Sequence, residues 1–76
     1  MLEEFIDENL VETESFIKIK AKEVYERFLL FCKHRGVVLK ISSREFYSHM
    51  EKFGVVKGEN GNRNYYWGWY LKSCKY

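Results

Sequence analysis

Ser43, Arg44, Tyr47 and Ser48 recur at the spacing of one helix face, and Lys57, Asn60, Asn62, Arg63 and Asn64 crowd the polar stretch that follows. These residue types in this pattern point to contact with a polyanion. A guanidinium such as Arg44 can grip a phosphate, or the O6/N7 edge of guanine, through paired N–H donors, and serine hydroxyls can donate to phosphate oxygens. Lys40, just ahead of the face, is placed to neutralise a backbone charge, and each phosphate neutralised adds to the salt dependence of binding. The amides of Asn60, Asn62 and Asn64 add both donors and acceptors. For any one of these residues, a solvated surface role is the alternative reading.

Two elements must position them. Ser42 and Glu45 form the S-x-x-E capping box that opens a helix. Phe46, Met50 and Phe53 then mark its inward side and Gly54 its end, which predicts a helix over 42–53 with Ser43, Arg44, Tyr47, Ser48 and Glu51 facing out. Val55-Val56 and the run 64–71 read as two strands, and Asn60-Gly61 between them is a favoured hairpin dipeptide because both residues tolerate positive φ. Strict alternation in the last strand puts Tyr65, Trp67, Trp69 and Leu71 on one face and Tyr66, Gly68 and Tyr70 on the other. So dense an aromatic run has two readings, a stacking platform for single-stranded bases or core material for a small domain. Trp67 and Trp69 are assigned to the core, and Tyr66 and Tyr70 are left as candidate ligand or partner contacts.

The N-terminal half supplies the scaffold. Leu2, Phe5, Ile6, Asn9 and Leu10 follow helical spacing, predicting an amphipathic helix over 2–11 with an acidic outer face. Phe16 to Lys20 alternates apolar and basic, the period of a short half-buried strand. Ala21, Val24, Tyr25, Phe28, Leu29, Phe31 and Cys32 mark the main helix, 21–35, stopped at Gly36 after a cationic last turn. Val37 to Ile41 is β-branched and short, a strand or an extended loop. The expected fold is α+β: a winged helix-turn-helix, with a three-helix core and a C-terminal β-hairpin wing over 55–71, plus an acidic N-terminal helix. Residues 1–15 are read as an acidic helical extension packed on a domain spanning 16–76.

Charge agrees with that division. Residues 1–15 hold six acids and no base, whereas 16–76 hold all thirteen Lys and Arg against five acids. The net charge of +2 therefore conceals a body of +8, suited to a polyanion, and an acidic segment that belongs away from phosphates or against another protein.

Other classes find little support. Seventy-six residues make one domain, and six Phe, six Tyr and two Trp give it enough bulk for a core. No apolar run approaches membrane-spanning length, and the acidic N-terminus is unlike a secretory signal. Two cysteines without such a signal suit a reducing cytosol, with a Cys32–Cys74 bridge as the fallback for an exported protein. Cys32, His34, His49 and Cys74 lack the tight ligand pairs of a zinc centre, so no metal is expected. No phosphate loop, nucleophile motif or embedded acid pair appears, so the chain alone is expected to be no enzyme, with no cofactor and no small-molecule substrate.

A resemblance extends this reading. Val24-Tyr25-Glu26-Arg27-Phe28, Phe31-Cys32, Gly36, Ser42-Ser43-Arg44-Glu45-Phe46, Met50, Gly54 and Tyr66-Trp67-Gly68-Trp69-Tyr70-Leu71 resemble, in this order and at similar spacing, one known domain. It is the C-terminal winged-helix domain of phage, plasmid and large-DNA-virus primase–helicases, and the resemblance spans about residues 16–72. Those replication proteins carry a superfamily 3 helicase ATPase, commonly behind a primase module. The resemblance implies binding of duplex, fork or origin DNA beside the helicase ring, with the parent's helicase and primase domains as partners. It puts Ser43, Arg44 and Ser48 on the recognition helix and Lys57 and Arg63 on the wing. No ATPase or primase sequence accompanies the domain here, and one Lys and one Arg across 57–64 make a sparsely charged wing. The runner-up is a winged helix that docks a protein partner through its acidic helix or exposed tyrosines. A third reading, a stand-alone regulator, would usually dimerise to match a palindromic site.

Overall fold

The computed structural model describes residues 2–38, 41–58 and 64–76. Among them are three helices, α1 (Leu2–Asn9), α2 (Ala21–His34) and α3 (Ser43–Glu51), and four three-residue strands: β1 (Leu10–Glu12), β2 (Lys18–Lys20), β3 (Tyr65–Trp67) and β4 (Trp69–Leu71). The strands form two antiparallel pairs, β1 with β4 and β2 with β3. The chain is thus a small α+β protein in which both sheets join the N-terminal third to the C-terminal residues.

The helices form where apolar spacing and end signals agree. On α2, Ala21, Val24, Phe28, Phe31 and Cys32 line the buried side, and Gly36 at φ +69° turns the chain out of the helix. On α3, the Ser42 Oγ accepts the Glu45 amide at 3.2 Å, as the capping pattern predicts, and Phe46 and Met50 are buried. The Tyr25 hydroxyl donates to the Ile41 carbonyl at 2.7 Å, fixing the approach to α3 against α2. The core is largely aromatic: the Phe5 ring lies 5.2 Å from Phe28, 5.5 Å from Phe31 and 6.1 Å from Phe46, all edge-on. Edge-to-face packing of this kind adds roughly 0.5–1.5 kcal/mol per pair beyond area burial.

Three expectations require correction. The helix expected over 2–11 ends at Asn9, and Leu10–Glu12 pairs as a strand with Leu71, Tyr70 and Trp69. Asn9 is buried, its Nδ2 donating back to the Phe5 carbonyl and to the Tyr76 hydroxyl, while its own carbonyl accepts the Lys72 amide. The side chain thus bonds the helix and the C-terminal residue while the backbone carbonyl holds the segment just after β4, which marks the switch from helix to strand.

Phe53, expected in the core, is 48% exposed. Helix α3 stops at Glu51 and the chain turns over 52–54 through Gly54 at φ +82°, so helical phase no longer applies at Phe53. Val55 fills the core instead, its amide donating to the Met50 carbonyl at 3.2 Å.

The third correction concerns the aromatic run. Gly68 adopts φ +82° between β3 and β4, its amide donating to the Ile17 carbonyl at 2.6 Å and its carbonyl accepting the Thr13 amide at 2.8 Å. This residue resets the alternation. Tyr66 points inward before it and is fully buried; Trp69 and Leu71 pack on the core after it, with Tyr70 out. Trp67, assigned to the core from alternation, is only half-buried and lies on the opposite side of β3 from Tyr66.

Among the described residues no helix is long and apolar enough to cross a membrane.

Candidate nucleic-acid interface

Phe46 and Met50 fasten one side of α3 to the core, and the other side presents Ser43, Arg44 and Ser48, all exposed. The carboxylates of Glu45 and Glu51 are exposed on the same short helix, so its outer surface is polar and of mixed sign. Tyr47 lies at the margin, half-buried against Tyr25 at 6.3 Å, Phe46 at 5.8 Å and Tyr66 at 6.4 Å. Burial raises its hydroxyl pKa, with the charges of Tyr25 and Glu26 adding to the effect.

Lys57 connects α3 to the next segment. Its ammonium sits 4.2 Å from the centre of the Tyr47 ring, its backbone bridges Tyr66 in antiparallel fashion, and the Gly58 amide donates to the Tyr65 carbonyl at 3.0 Å. The hairpin expected over 55–71 is thereby corrected. Val55 and Val56 form no strand, this single bridge is their segment's described ladder contact with β3, and β3 and β4 pair instead with β2 and β1. Asn64 is exposed, and its carbonyl accepts the amide of Ala21 at 2.9 Å, which ties the start of β3 to the start of α2. Of the ten residues expected at the site, Ser43, Arg44, Tyr47, Ser48, Lys57 and Asn64 are thereby placed; Lys40, Asn60, Asn62 and Arg63 lie outside the described residues.

Sequence reasoning missed a second basic group beside these. The β2–β3 register sets Lys18 against Trp67, Ile19 against Tyr66 and Lys20 against Tyr65. Ile19 and Tyr66 go inward, so Lys18, Lys20, Tyr65 and Trp67 share the outward face. The Lys18 ammonium lies 4.3 Å from the Tyr65 ring centre and 4.9 Å from that of Trp67. A cleft of about 390 Å³ continues from this face, lined among the described residues by Lys20, Ala21, Lys22, Tyr47, Asn64 and Tyr65, two lysines and no carboxylate. The period-2 placement of Lys18 and Lys20 around Ile19 was the available signal for their outward face; their aromatic neighbours were hidden by the phase change at Gly68.

The opposite side of the protein is built otherwise. Arg35, at the end of α2, pairs with Glu4 at 2.8 Å and Glu8 at 3.0 Å on α1, and these carboxylates hold its guanidinium more firmly protonated. Arg27 donates to the Lys72 carbonyl at 2.8 Å, and Lys72 donates to the Asp7 carbonyl at 2.8 Å.

Among the described residues Tyr66 is the most perturbed titratable group. Its hydroxyl is buried without a hydrogen-bond partner, and desolvation, reinforced by the charges of Tyr47 and Glu51, pushes its pKa far above the ordinary tyrosine value. Tyr66, expected as a candidate contact residue, is therefore a core residue. Cys32 is buried on α2, Cys74 is exposed, and among the described residues no three His, Cys, Asp or Glu side chains converge as metal ligands. Compared with protein-family models, curated proteins and solved structures, the chain matches none.

Proposed function

We propose that this chain is a DNA-binding winged-helix domain of a viral or mobile-element replication protein of the primase–helicase kind. In this reading α3 enters the major groove and the 55–71 region lies along the neighbouring backbone. One observation carries it: Lys57, its ammonium over the Tyr47 ring and its backbone bridged to Tyr66, links β3 to α3, whose Ser43, Arg44 and Ser48 are exposed. Three helices followed by the C-terminal strands β3 and β4, with Lys57 bridging Tyr66 beside β3, support a winged helix. Arg44 then reads a base edge or grips a phosphate, the serines contact phosphates, and Lys57 and Asn64 hold the flanking strand.

Titration of labelled duplex DNA at two salt concentrations tests this. Saturable binding that weakens with salt is expected, and Arg44→Ala should cost about 1–3 kcal/mol. Lys57→Ala should weaken binding evenly across sequences and lower the salt slope by roughly one phosphate. Duplex binding undetectable even at low salt would move the reading to a protein-docking winged helix. That alternative has one favourable observation: Leu29, Leu30, Val38 and Tyr70 are large apolar side chains left exposed.

A further inference from the structure

The outward face of β2–β3 combines two half-buried rings with two exposed cations. Tyr65 and Trp67 stand two residues apart with ring centres 6.4 Å apart, and Lys18 and Lys20 stand opposite them on β2. Neither lysine is paired with a carboxylate among the described ion pairs, and the Lys18 ammonium rests over both rings.

We infer that this face is a second nucleic-acid site, a stacking platform for a single strand. Every base has a π-face, so aromatic side chains at strand spacing accept successive bases with little regard to sequence, while neighbouring lysines track the phosphates. The cation now over Tyr65 and Trp67 is the one that a base would displace, and the displaced ammonium stays within reach of the phosphate of the arriving nucleotide. The two lysines of the adjoining cleft, with no carboxylate among its described lining residues, favour a polyanion. Lys20, Lys22 and Asn64 extend the track from the platform toward Tyr47 on α3. Duplex and single strand would then lie side by side, the arrangement of a fork.

The inference stands apart from α3 entering a groove, and its test keeps the two separate. Labelled oligo-dT, oligo-rU and a blunt duplex are titrated against the whole chain, with anisotropy and intrinsic tryptophan emission both recorded. Oligo-dT is expected to bind and to quench tryptophan emission. Tyr65→Leu should weaken binding by roughly tenfold, the loss of one stacked base, whereas Tyr65→Phe keeps the ring and the affinity. Lys18→Gln, at an exposed position, should weaken binding and flatten its salt dependence without touching the core. Tyr70→Ala, an exposed aromatic of the other sheet, should leave oligo-dT affinity unchanged. Tighter binding of oligo-dT than oligo-rU assigns the strand to DNA, and the reverse order assigns it to RNA. Duplex binding without oligo-dT binding overturns the platform and leaves the α3 reading intact. Oligo-dT binding indifferent to Tyr65→Leu and Lys18→Gln, with unquenched emission, also overturns it.

Discussion

The two poles of this small protein handle cations in opposite ways. At the α1 pole, Arg35 is matched by Glu4 and Glu8, and Arg27 and Lys72 are spent on backbone carbonyls. At the α3 and β2–β3 pole, Lys18 and Lys57 lie over aromatic rings with no acid among their described contacts. A cation neutralised by carboxylates must lose those partners before it can serve a phosphate. A cation over a ring gives up only a quadrupole attraction, about 0.5–1 kcal/mol at an exposed site. The same +8 body thus holds carboxylate-paired cations at one end and cations without a described carboxylate partner at the other.

The largest expected effect breaks the first pole. Phe5 is the only fully buried side chain that α1 contributes and touches three core rings, so Phe5→Ala should cost about 3–5 kcal/mol in a urea titration followed by circular dichroism. Next comes the contrast itself. Lys20→Gln with Lys22→Gln should lower DNA affinity by roughly tenfold and reduce the salt slope, while Glu4→Gln with Glu8→Gln should change affinity by less than about twofold. Smaller still is the effect of Tyr66→Phe, which removes a buried hydroxyl that has no partner. It should leave stability unchanged or raise it by up to about 1 kcal/mol.

The same substitution has a pH signature. The folded-state pKa of Tyr66 is raised, so its contribution is fully present below the unfolded value of about 10 and is lost as pH climbs from there toward the folded value. Tyr66→Phe should flatten that alkaline decline in melting temperature. Smallest is Arg35→Ala: its ion pairs are solvent-screened, so the fall in melting temperature should be slight at low salt and vanish at high salt.

The helical half of the molecule was legible because its signals are local. Spacing of Val24, Phe28 and Phe31, the stop at Gly36 and the Ser42 cap each act within a few residues, and α2 and α3 fall within one or two residues of their expected bounds. The outward side of α3, with Ser43, Arg44 and Ser48, followed from that phase. The strands were not legible to the same degree, because their phase depends on a single backbone angle. Nothing local in Trp67-Gly68-Trp69 says that the alternation restarts there, so Trp67 was assigned inward and Tyr66 outward, the reverse of what β2–β3 pairing requires. Likewise Leu10 continues a helical pattern perfectly well; only its distant partner Leu71 makes it a strand.

Gly68 has a consequence for how the protein comes into being. By passing the C-terminal chain from β2 to β1 in one turn, it makes the first strands synthesised wait for the last. During translation α1, β1 and β2 emerge early, yet the partners of Leu10–Glu12 and Lys18–Lys20 do not exist until residues 65–71 have been made. Phe5 and Leu10 remain unsheltered by those strands in the meantime, and the α2–α3 pair is the unit able to associate first. A side chain at position 68 disfavouring positive φ would lengthen that wait for both sheets at once, so the vulnerability it creates lies in the newborn chain as well as in the finished protein.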